Sequence, residues 1–114
     1  MLDTAGFTGT ENWYQHWANK HITYTDGVKY VADTAGAYWL IDEIVFNQSN
    51  KKIQKQDFQT WKLVVDIPNR RGTLTCEDGD YHVLFTKTIA FTDFPDPEIK
   101  FFFVDNVILL PSEY

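Results

Sequence analysis

Nucleophilic chemistry needs a thiol or hydroxyl beside a base, and Cys76 with His82 comes nearest to that pattern. A turn at Asp78-Gly79 puts them on opposite arms of a hairpin, with no glycine-rich elbow or oxyanion donor nearby, so Cys76 reads as a half-buried thiol. His16, His21 and His82 lack the HxxxH or HxH spacing that aims two imidazoles at one ion, and the chain has one cysteine. Glu77-Asp78-Gly79-Asp80 carries too few spaced carboxylates for a calcium loop and reads as a hairpin turn. Neither a metal nor a cofactor is expected. Asp42 with Glu43, and Asp93 with Asp96, could act as acid and base only if the fold made them converge in a pocket. The six glycines never gather into a phosphate cradle; Gly6 and Gly9, which flank Phe7-Thr8, suit a loop and nothing more. No enzyme is expected.

Two aromatic sets remain. Trp39 and Phe46 stand one heptad apart on a helix with Asp42 and Glu43 beside them, a mixture of aromatic anchors and charge that suits a partner-binding surface. The competing reading is that Trp13, Tyr14 and Trp17 fold over this face as a second core layer. The second set is Thr8, Thr10, Trp13, Tyr14, His16 and Trp17, whose rings could stack a planar ligand while the threonines meet its polar groups.

The elements that must position these sets follow from periodicity. Glu11 to Trp17 and His21 to Tyr24 favour a short antiparallel pair, although Thr8 with Glu11 would also suit a helical capping box. Thr25 or Asp26 suits the start of a helix over about 26–35, Gly36 its end, and a second helix follows over about 37–48. At 100° per residue its core arc holds Ala37, Tyr38, Leu40, Ile41, Ile44 and Val45, with Trp39, Asp42, Glu43 and Phe46 opposite. The polar stretch Asn47 to Gln56 reads as a surface connection. Trp61, Leu63, Val65 and Ile67 then alternate with Thr60, Lys62, Val64 and Asp66, Asn69 to Gly72 turns, Thr73 to Glu77 returns, and Tyr81 to Phe91 alternates again through Val83, Phe85 and Ile89. Phe94-Pro95 ends that strand, and Glu98 to Val104 and Val107 to Leu110 form two more about Asp105-Asn106. The expected fold is α+β: a meander of about five antiparallel strands over 58–110 with both helices on one face. The apolar run of the last two strands calls for a cover on the second face, from the amino-terminal aromatics or a partner subunit.

The chain of 114 residues, 44% apolar and 17% aromatic, suits one domain over 1–114. Ten basic against sixteen acidic residues give a net charge of −6, which argues against nucleic acid or anionic membrane as a direct partner and permits a basic one. The balance is modest for a DNA mimic. Met1-Leu-Asp-Thr-Ala-Gly6 lacks the pattern of a secretory leader, and no apolar run approaches the roughly 18 residues of a membrane span. A cytoplasmic location is expected.

Phe7-Thr-Gly-Thr-Glu-Asn-Trp-Tyr-Gln-His-Trp17, Tyr24 to Ala32, Ala35 to Asp42, Thr92-Asp-Phe-Pro95 and Leu109-Leu-Pro-Ser-Glu-Tyr114 resemble a family of small bacterial proteins of unknown function, found in cyanobacteria, plasmids and phages. The resemblance covers nearly the whole chain. It implies a stand-alone domain in the service of a mobile element, and it transfers no catalytic residue.

Together these features predict a non-enzymatic binding protein. In its sharpest form it is an anti-CRISPR-like inhibitor, in which Trp39, Asp42, Glu43 and Phe46 occupy a basic groove of a nucleic-acid-binding host defence complex. The alternative is a nucleotide-sequestering protein using Thr8, Thr10, Trp13, Tyr14, His16 and Trp17, with Arg70 and Arg71 needed at the site to offset the negative charge. Homodimerisation through the carboxy-terminal strands is also expected.

Overall fold

Alternation of Trp61, Leu63 and Val65 with Thr60, Lys62, Val64 and Asp66 builds an interior strand of the sheet, because side chains at every second position share a face. The computed structural model describes residues 2–114. Its elements are β1 (Trp13–Gln15), β2 (Thr23–Thr25), α1 (Asp26–Ala35), α2 (Tyr38–Phe46), α3 (Lys51–Gln54), β3 (Phe58–Asp66), β4 (Arg71–Glu77), β5 (Val83–Ile89), β6 (Glu98–Val104) and β7 (Val107–Leu109). Short 3-10 turns occupy Asn47–Ser49 and Pro111–Glu113.

The α+β class holds, but the sheet is larger than the meander expected from the sequence. Among the described residues seven strands form one sheet in the order β1-β2-β7-β6-β3-β4-β5. It is mixed rather than antiparallel throughout, because β2 runs parallel to β7 while every other pair is antiparallel. The amino-terminal pair, read as strands, therefore extends the sheet beyond 58–110. Core residues from β3, β4, β6 and β7 meet Val28, Val31, Leu40, Ile41 and Ile44 of the helices on one face.

The second helix is shorter than 37–48. The Asn47 amide donates to Glu43 O at 2.7 Å and the Gln48 amide to Ile44 O at 3.0 Å, capping the last turn. The stretch Asn47 to Gln56 is more than a surface connection, since it contains α3 and buries Ile53 completely. Gln59, on β3, explains its docking. Its Oε1 accepts from Gln48 Nε2 at 2.8 Å and Trp61 Nε1 at 2.9 Å, and its Nε2 donates to Gln48 Oε1 at 2.9 Å and Ile53 O at 3.0 Å. All four hydrogen-bonding positions of this buried amide are filled.

Two strand ends also differ from expectation. Ile67 lies outside β3 and is exposed, in a turn in which Arg70 takes a positive φ of 55°. Asp78 to His82 form a longer loop than a two-residue hairpin, with Tyr81 at φ 66°. A bulge after it skips Leu84 in the pairing, so that Phe85 stays opposite Cys76 while Val83 is exposed. The second sheet face receives cover from the carboxy terminus, while Trp13 is exposed at its edge. There Phe58 and Phe102 pack at 4.8 Å between ring centres, and Tyr114 closes on them at 5.4 and 5.7 Å.

The carboxy end is fixed by Glu113. Its Oε1 accepts from the Thr25 hydroxyl at 2.7 Å and Leu110 N at 3.0 Å, and its Oε2 from Gly27 N at 3.1 Å, in the first turn of α1. A Cβ on Gly27 would come within 2.6 Å of both Glu113 Oε1 and Leu110 Cδ1. On helix propensity alone Gly27→Ala would stabilise by about 1 kcal/mol. Because the carboxylate is held at three points, the sign should reverse, to a net loss of roughly 1–3 kcal/mol in urea unfolding. A more stable variant contradicts this packing.

Candidate functional site

The two aromatic sets meet around Asp42. His16 lies just beyond β1 and is only 2% exposed. Its Nδ1 accepts from Ala18 N at 3.1 Å and Asn19 N at 3.3 Å, so its proton sits on Nε2, which is 2.7 Å from Asp42 Oδ1. The Trp17 indole N–H donates to the same oxygen at 3.0 Å. Phe46, one turn along α2, stands edge-on to His16 and Trp17 at 5.8 and 5.9 Å between ring centres. Trp17 is thereby held in place while 73% exposed, and Phe46 is 51% exposed.

The same helix divides the predicted partner-binding residues. Asp42 and Phe46 face the amino-terminal aromatics; Trp39 and Glu43, also one turn apart, lie on another flank. Glu43 pairs with Lys87 of β5, and Trp39 is partly buried against the core rather than displayed. Tyr38, placed in the core by the helical arc, is 40% exposed instead. Nearly every residue of α2 is apolar, so periodicity could not choose its faces.

The predicted ligand-binding residues are divided as well. Thr8, Thr10 and Tyr14 line an open groove of about 840 Å³ with Asp26, Lys29 and Asp33. Thr10 is occupied there, donating to Asn12 O at 2.7 Å and accepting from Asp26 N at 2.9 Å. Lys29 is paired with Asp33 at 2.8 Å. His16 and Trp17 line a separate cavity of about 310 Å³ with Tyr24, Tyr38, Ile41 and Asp42. Trp13 is exposed on the edge strand β1. Arg70 and Arg71 lie at the β3–β4 turn, separated from β1 by β2, β7 and β6, and line neither depression. In the sequence Tyr24 and Tyr38 carry no sign of a site beyond aromatic character within a strand and a helix of the scaffold.

Elsewhere Cys76 is fully buried, not half-buried, and burial pushes its thiol up to about 12. His82 is on the exposed loop, where its ring is 3.0 Å from Asp78. Asp78, Asp80 and His82 bring ligand atoms within 4.8 Å of one another. The Asp78 carboxylate is already engaged, accepting from the backbone N–H groups of Asp80 and His82 at 2.8 and 2.9 Å.

A family model matches residues 2–114. The chain belongs to a family of unknown function, DUF6876. No curated protein and no solved structure matches it. In this DUF6876 chain an exposed tryptophan and a buried histidine both bond Asp42. No helix among the described residues is long and apolar enough to cross a membrane.

Asp26 supports the site from the other end of β1. Its Oδ2 accepts from Glu11 N at 3.0 Å and Asn12 N at 3.3 Å, and its Oδ1 from Asn12 Nδ2 at 3.2 Å and the Tyr14 hydroxyl at 3.0 Å. The Glu11 backbone bond, aided by Asn12 and Tyr14, holds the Asp26 carboxyl below its ordinary 3.8 against the opposing effect of desolvation. The unfolded chain thus binds the proton more tightly, and the stabilisation is complete above the unfolded value and lost as pH falls through the folded one. Asp26→Asn should lower the melting temperature at neutral pH, and the gap from wild type should close in acid below about pH 4. A gap independent of pH contradicts this role.

Proposed function

We propose that the protein is a non-enzymatic binding protein that engages a basic segment of a protein partner through Trp17, Phe46 and Asp42. One observation carries the reading: Trp17 is highly exposed yet fixed by a hydrogen bond and an edge-on ring contact. A pre-positioned tryptophan loses little conformational freedom on binding, and tryptophan is prominent among residues that dominate interface energetics. The carboxylate beside it and the chain's charge of −6 favour a basic partner. A nucleic-acid-binding defence complex is one partner class of that charge, and inhibition would then consist of occupying its basic groove.

Tagged wild-type protein and the Trp17→Ala/Phe46→Ala double variant should be compared in pull-downs from bacterial host lysate at low and high salt. The reading expects a stoichiometric partner that wild type retains at low salt and releases at high salt, and that the folded double variant fails to retain. Equal recovery by the variant, or no partner with either protein, contradicts it.

A further inference from the structure

We propose that the cavity between the end of β1 and α2 binds an ammonium group carried on an alkyl stem, with Asp42 as its counter-ion and Trp17, Tyr24 and Tyr38 among its walls. This deepens the reading above by naming a lysine side chain as the partner group that enters the site.

The cavity holds about 310 Å³, at the small end for ligand sites and suited to a head group with its stem. Trp17, Tyr24 and Tyr38 line it together with Ile41 and Asp42. Aromatic rings attract cations through their electron-rich faces, and a desolvated cation gains most from them. Asp42 supplies the formal charge. Both donors on its Oδ1, the His16 Nε2–H and the Trp17 indole N–H, belong to rings that bring no cation to it, since His16 Nδ1 is itself an acceptor. No described residue donates to Asp42 Oδ2. Among the described residues no lysine pairs with Asp42: Lys29 bonds Asp33, at 2.8 Å, Lys87 bonds Glu43, and Lys20, in the turn after β1, lies outside salt-bridge distance of it. The cavity thus combines aromatic walls, an apolar side chain and a carboxylate without an internal cationic partner. An anionic ligand would have to approach that carboxylate directly.

Two sources present this group, a lysine on a partner chain and a free alkylammonium such as choline. The Trp17 indole N–H resonance, assigned with Trp17→Phe, should be followed by NMR during titration with choline and with acetyl-Gly-Lys-Gly-amide. The neutral isosteres 3,3-dimethylbutan-1-ol and the norleucine peptide serve as controls. Saturable shifts with roughly millimolar midpoints are expected for the cations and not for the isosteres. Binding of the lysine peptide supports a partner's lysine as the source, and binding of choline alone supports a free ammonium ligand. Asp42→Asn retains an oxygen that can accept from His16 and Trp17, so the fold should persist while cation affinity drops roughly tenfold. Equal response to the neutral isosteres, an unchanged affinity in Asp42→Asn, or no saturable shift overturns the inference. A Trp17-dependent protein partner without ammonium binding removes this inference and leaves the binding reading standing. Ammonium binding without such a partner does the reverse.

Discussion

Two carboxylates converge on the amino end of α1, and the carboxy end of the chain and the segment leading into β1 depend on them. Glu113 reaches back from the carboxy terminus to bond the Thr25 hydroxyl and the Gly27 N–H, while Asp26 gathers the Glu11 to Tyr14 segment. Unpaired N–H groups and the positive end of the helix dipole favour negative charge at this position. A single helix terminus thereby fixes the last residues of the chain and the approach to its first strand. The glycine at position 27 leaves room for the carboxylate to come this close.

The binding surface follows from that arrangement. β1 is three residues long and pairs only with β2, too little for an independent edge strand. Asp26 fastens its start and Asp42 its end, so two helices hold a strand that its own ladder could not. The turn after β1 is organised by His16, whose Nδ1 receives two backbone N–H groups and whose Nε2 donates to Asp42. His16 is therefore a positioning residue, with both nitrogens used to place Trp17. The exposed rings of Trp17 and Phe46 then stand at defined positions beside a carboxylate, which makes this region suited to recognition.

The sequence made the regular parts of the fold legible and left the contacts between them hidden. Strand β3 alternates with period two over nine residues, and α1 begins at a threonine cap and ends at a left-handed glycine, Gly36, at φ 63°. Three-residue strands carry no such period, so the parallel joining of β2 to β7 left no local sign. Gln59 looks like a polar residue on an amphipathic strand, and only the approach of Gln48, Ile53 and Trp61 makes it a satisfied core amide. From the sequence, Asp42 and Trp17 meet only if the amino-terminal aromatics fold over α2 as a core layer; the contact instead spans 25 residues, depends on the turn at His16 and leaves Trp17 exposed. The aromatic and acidic character of the site could be read from residue types; its location required the three-dimensional fold.

Immobilisation of Trp17 in the free protein is the central physical claim, and nitrogen-15 relaxation of its indole N–H measures it directly. The structure predicts an order parameter close to that of rigid backbone, about 0.85, before any partner is added. A value below about 0.6 would show a freely moving side chain and would contradict a pre-positioned binding surface.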